Sequence, residues 1–154
     1  MEKSQIKKIV VSFVIIALVA GLGSLFVNLG MDWFNALKKP TQWLPNFVIP
    51  IVWSVVYVTF GVIIFIWYKD DDIPTSTIVL MLINAVLNVL WCLTFFTLKQ
   101  LFLGNIVILL NLIVGFALIV DIINYNKIYG YILSIYPIWL SIATTLNLAL
   151  WILN

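Results

Sequence analysis

Three side chains in the middle of an uncharged run have the types and the spacing to hold a ligand. Residues 78–96 read IVLMLINAVLNVLWCLTFF and carry Asn84, Asn88 and Trp91. Those positions stand at i, i+4 and i+7, so on a helix they line one face. A primary amide has two donor hydrogens and an acceptor oxygen. Left without partners in hydrocarbon it costs roughly 2–7 kcal/mol. Two amides a turn apart, with an indole below, must therefore face protein, a wet cavity or a ligand. Two readings fit. One is hydrogen bonding between helices, which averages about 0.6 kcal/mol per contact in membranes. The other is a ligand-facing stripe, because polar groups inside a membrane segment tend to mark function.

The elements that must position these groups follow from composition. Of the 154 residues, 64% are hydrophobic and 9% charged. A membrane span needs about 20 apolar residues, and the chain offers several such runs. The expected fold is an all-α integral membrane protein, a bundle of five transmembrane helices in a single domain over 1–154. Spans are expected over about 6–28, 47–68, 76–98, 101–124 and 128–152, with a lid loop over 30–46. Lysines at 3, 7, 8, 69 and 127 outnumber those at 38, 39 and 99, which favours a cytoplasmic N-terminus in a multi-pass protein of the cell membrane.

Other stretches carry weaker signals. Ala17, Gly21, Ser24 and Asn28 form a small-residue stripe on the first span, as do Gly104, Asn111 and Gly115 on the fourth. Such stripes let helices or subunits approach closely. The lid mixes Trp33, Phe34 and Trp43 with Asp32, Lys38 and Lys39, and aromatics there suit either headgroup depth or a cover over a cavity. In the second span Trp53, Tyr57, Gly61, Ile64 and Tyr68 share a face. In the fifth, Trp139, Ala143 and Asn147 do so, and Pro137 is expected to kink the helix. Asp121 lies near the end of the fourth span and is expected to reach the interface.

The chemistry excluded is broad. There is no His and no Arg, which removes the commonest general base and the bidentate anion clamp. No acid–base pair falls at mid-membrane to serve a hydrolase or a proton-coupled pump. No Cys/His cluster suggests a metal, and the net charge of +2 is too small to suggest nucleic acid. What remains is indole and phenol rings with a few amides. That set suits a large, flat, mostly apolar ligand held by stacking, with amides fixing its polar edge. A porphyrin fits the description. Iron ligation would fall to Cys92 or a Tyr, so the ring, not a metal, should hold such a ligand, and no cofactor is required.

Ala36-Leu37-Lys38-Lys39-Pro40, then Val52-Trp53 with Tyr57 and Gly61, then Asn88 with Trp91, then Trp139 with Ala143-Thr144-Thr145-Leu146-Asn147 and Trp151 occur in that order. In this the chain resembles the TspO/MBR family, which includes the translocator protein (peripheral benzodiazepine receptor) and the bacterial tryptophan-rich sensory proteins. The resemblance implies a five-helix bundle whose pocket opens toward the first loop, and it implies homodimers. It implies binding of protoporphyrin IX, other haem-like tetrapyrroles and lipophilic drug-like ligands such as isoquinolines and benzodiazepines. By position, Trp53, Tyr57, Asn84, Asn88, Trp91, Trp139, Ala143 and Leu146 would form the pocket wall, with Trp33 and Phe34 from the lid. Relatives are reported to degrade protoporphyrin in light and oxygen, and the carry-over assigns that to Trp53 and Trp139. The expected function is a membrane receptor or sensor for porphyrins. The alternatives are a light- and oxygen-dependent porphyrin-degrading enzyme and a tetrapyrrole transporter. Two departures stand out. The sterol-recognition positions of the fifth span read Leu148, Ala149 and Ile152, and the lid reads Gln42-Trp43-Leu44-Pro45 where the family has a Trp–x–Pro–Pro run.

Overall fold

The structure is a computed structural model, and it describes residues 2–41 and 43–154. Gln42, part of the departure in the lid, lies outside the described residues. Helices α1 (Lys3–Ala36), α2 (Val48–Asp70), α3 (Thr75–Cys92), α4 (Leu101–Tyr125), α5 (Lys127–Leu133) and α6 (Ile135–Leu153) account for most of the chain. Among the described residues five helical stretches are long and apolar enough to cross a membrane, α5 and α6 together forming the fifth. The helices close a ring in which α1 touches α2 and α3, α3 packs on α4, α4 on α5 and α6, and these return to α2.

The first helix is longer than expected. It runs through to Ala36, so Trp33 and Phe34 belong to its last turn and not to a lid loop over 30–46. The physical reason lies at Gly30, whose missing side chain lets α1 press against the backbone of Phe96. A Cβ there would lie 2.0 Å from the Phe96 carbonyl oxygen. No proline interrupts the helix before Pro40, and the Lys39 Nζ donates to the terminal carbonyls of Phe34 (2.9 Å) and Asn35 (3.3 Å). The remaining connection, 37–47, is tied to the end of α6. The Lys38 N–H donates to Asn154 Oδ1 at 2.9 Å, and Asn154 Nδ2 donates to the Lys38 carbonyl at 3.0 Å.

Elsewhere the local chemistry explains each boundary. Pro50 stands in the first turn of α2, where its missing N–H is tolerated. Helix α3 follows Pro74 and widens into a π-helical turn, Leu93–Thr97. The Leu98 N–H reaches back to the Leu93 carbonyl at 2.9 Å, and Lys99 turns the chain with φ of 57°. Thr97 Oγ1 donates across to the Phe26 carbonyl of α1 at 2.9 Å. In the fifth span the interruption falls at Ser134, between α5 and α6. That is where Pro137 acts, because its ring crowds the carbonyl four residues earlier, at Leu133. At the end of the bundle away from Lys99, Asp121 accepts from Thr77 Oγ1 (2.6 Å) and Ser76 Oγ (3.2 Å), locking α4 to α3.

The two small-residue stripes have different fates. Gly104 faces Phe95, Gly115 faces Leu140 and Tyr136, and Asn111 is fully buried, so the α4 stripe serves packing within the bundle. The α1 stripe is exposed, and nothing lies within 4 Å of a Cβ built on Gly21.

Candidate functional site

Helix α1 is set off from α2 and α3 by two hollows. The upper one, toward the 37–47 connection, has a volume of about 430 Å³. Its far wall is aromatic. Trp53 stacks on Tyr57 with centroids 5.8 Å apart and planes at 29°. Trp91 lies 6.1 Å from Trp53, and Phe96 lies 5.8 Å from Trp91. Phe34 closes the top, 5.3 Å from Phe96, with the Lys39 ammonium 4.7 Å above its ring. The lower cavity, about 130 Å³, continues toward Tyr68 and Ile73 and shares Tyr57 and Asn88 with the upper one. A third void, about 30 Å³, lies behind Trp53 and Trp91 and is bounded by Trp139, Ala143, Leu146 and Asn147. Trp53 and Trp91 are therefore a partition, with the large cavity on one side and the small void on the other.

The residues singled out from the sequence divide among these spaces. Phe34, Trp53, Tyr57, Asn88 and Trp91 line the upper cavity. Asn84 borders only the lower one, and Trp139, Ala143 and Leu146 border only the small void. Trp33 lines none of the three and instead sets its ring edge against Phe95 at 5.9 Å.

The two amides of the opening stripe do different work. Asn84 is engaged: Nδ2 donates to the Leu80 carbonyl at 3.0 Å and Oδ1 accepts from the Tyr136 hydroxyl at 3.0 Å. The same hydroxyl lies 3.2 Å from Asn111 Oδ1. A hydroxyl has one proton, so it donates to Asn84 and accepts from Asn111 Nδ2 once the Asn111 amide is turned over. This is the interhelical role, joining α3, α4 and α6. Asn88 is 7% exposed, borders both larger cavities and has no hydrogen-bond partner among the described residues.

Donors without partners gather at the small void. Trp91 Nε1, Trp139 Nε1 and Asn147 Nδ2 are buried and unpaired, and all three residues line it. Unpaired buried donors cost roughly 1–3 kcal/mol each. A void of this size admits a water, and a ligand carbonyl reaching past the partition would satisfy the same donors. Among the described residues no charged side chain lines any of the three spaces, and no group of acidic, Cys or His side chains is placed to hold a metal.

Several lining residues escaped the sequence reading. On α1, Ala20, Gly23, Val27 and Met31 face the upper cavity. Their spacing is helical, and a periodic reading carried past Gly30 would have found them. Cys92 joins them from α3, with its Sγ 3.5 Å from a Cβ built on Gly23.

Fold and site together define a multi-pass α-helical membrane protein with an aromatic-walled internal cavity. The chain belongs to the TspO/MBR family, whose model matches residues 10–152. It is 28% identical over 125 residues to protein CrtK of Rhodobacter capsulatus, covering 79% of this chain and 78% of that protein. It is 27% identical over 147 residues to the tryptophan-rich protein TspO of Bacillus cereus, covering 93% and 96% respectively. An uncharacterized membrane protein, YtaB of Bacillus subtilis, is 31% identical over 134 residues, with 85% of each chain covered.

Proposed function

We propose that this protein is a membrane receptor or sensor that binds porphyrins and other flat lipophilic molecules in the upper cavity. The observation that carries the reading is the array of Trp53, Tyr57 and Trp91 along one wall of a hollow of about 430 Å³. That volume falls within the range of small-molecule pockets, roughly 300–1,000 Å³. Aromatic faces reward a planar partner by about 0.5–1.5 kcal/mol per ring beyond area burial. Asn88 supplies a free amide to the ligand's polar edge, and the unpaired donors behind the partition suit an acceptor on a ligand that tilts Trp53 or Trp91 aside. The family supports the same reading through its implied porphyrin ligands, and it implies a homodimer.

Titration with protoporphyrin IX, followed by quenching of intrinsic tryptophan fluorescence, tests this. Saturable quenching, weakened severalfold in Trp53→Leu and Asn88→Leu, is expected. Quenching that does not saturate removes the reading.

A second reading, photo-oxidative degradation of the bound porphyrin, is favoured by one observation: Trp53, an oxidisable indole, walls the large cavity directly. Trp139, the other indole to which the family resemblance assigns this chemistry, borders only the small void. Illumination of the complex in air should therefore bleach the porphyrin in a way that depends on Trp53 more than on Trp139. Equal bleaching in wild type and Trp53→Phe would refute the catalytic role.

A further inference from the structure

We propose that the upper and lower cavities form one elongated site for a neutral, single-chain amphiphile of the monoacylglycerol kind, drawn from the bilayer. This goes beyond the porphyrin reading and does not depend on it. Tyr57 and Asn88 line both hollows, so movement of those two side chains alone would join them. Their lining on α2 runs from Ile49 to Tyr68, a length of about 29 Å at the helical rise. One leaflet's hydrocarbon is about half of a core roughly 30 Å thick, so the hollow has room for one chain with its head group.

Polarity falls along the site. The upper end presents Ser24, Asn28 and Asn46, and Ser24 and Asn28 hold no hydrogen bond among the described residues. In the lower cavity the polar groups are already committed, since Ser12 donates to the Lys8 carbonyl at 2.9 Å and Asn84 to that of Leu80. The rest of the lower lining is apolar apart from phenol rings and Asn88. No charged side chain among the described residues lines either space, so a desolvated ionic head would lack a counter-charge. The head is therefore neutral. A cavity of about 130 Å³ beyond the neck takes one chain and excludes a flat macrocycle. Leu82 borders that cavity and is 44% exposed on the outer face of α3, which gives the chain a route from the membrane.

Photolabelling in lipid nanodiscs tests the proposal. The probes are a 16-carbon monoacylglycerol with a diazirine at the chain terminus and a phosphatidylcholine with the same label. Leu118 and Ile64, 0% and 6% exposed, line the lower cavity, so a label reaches them only by entering it. The expected result is labelling of both by the monoacylglycerol probe, reduced at least tenfold by excess unlabelled monopalmitin. The phosphatidylcholine probe should label only outward residues such as Ile113 and Val120, 58% and 59% exposed. Ala85→Phe, which fills the lower cavity, should lose labelling at Leu118 at least tenfold while helical circular dichroism and gel filtration stay unchanged. Ile15→Phe, on the opposite wall, serves if the first variant does not fold. Labelling confined to outward residues, labelling at Leu118 that monopalmitin does not reduce, or equal labelling of Leu118 by both probes overturns the proposal.

Discussion

Gly30 and Gly21 lie nine positions apart on α1, and the structure assigns them opposite responses to the same substitution. A Cβ at Gly30 would stand 2.0 Å from the Phe96 carbonyl oxygen and 2.5 Å from its carbon. Both are backbone atoms of the π-helical turn, so no rotamer change can relieve the overlap. To bring the closest contact from 2.0 Å to an ordinary 3.4 Å, α1 must withdraw by about 1.4 Å. Withdrawal also stretches the bond from Thr97 Oγ1 to the Phe26 carbonyl. At Gly21 a Cβ meets nothing within 4 Å. Both substitutions gain the same helix propensity, up to about 1 kcal/mol for Gly→Ala. The difference between them therefore isolates the overlap, about 1–3 kcal/mol by the usual range for overpacking. Unfolding by SDS in mixed micelles, followed by circular dichroism, measures it. Gly30→Ala should unfold at lower SDS fraction than Gly21→Ala, which should match or exceed wild type. Gly30→Ala as stable as Gly21→Ala would mean that α1 does not press on Phe96 as described.

Tyr136→Phe removes the hydroxyl shared by Asn84 and Asn111. It should destabilise the bundle by about 0.6–1.7 kcal/mol in the same unfolding assay, and a neutral result would deny that the cluster joins the helices. Asn154→Ala breaks both bonds to Lys38. At about 0.5–1.5 kcal/mol each, their loss should speed amide exchange in the 37–41 segment severalfold, and unchanged exchange would detach Asn154 from the connection. Because no carboxylate or amine among the described residues lines the cavities, affinity for a non-ionisable flat ligand such as fluorene should be constant between about pH 5 and 8. A titration step in that window would reveal a charged group at the site.

Much of the fold was readable because its signals are local. Five apolar runs of sufficient length depend only on composition. The facing of Asn84, Asn88 and Trp91 depends only on helical period, and all three are buried. What sequence could not supply depends on contacts between helices. The segment 30–36 reads as loop because it opens on Gly30 and carries Asp32 and two aromatics; it is helical because Gly30 seats α1 against Phe96. Whether the Gly104–Gly115 stripe served a subunit or the bundle turned on helix rotation, and Phe95, Tyr136 and Leu140 occupy that face. The separation of the small void from the large cavity depends on the tilt of two indole planes, for which periodicity carries no information.

That division has its own consequence. Trp53 and Trp91 are walls common to two rooms, and a common wall cannot move in favour of one without narrowing the other. Whatever settles in front of the indoles thus sets how much space is left behind them, where Trp139 and Asn147 stand.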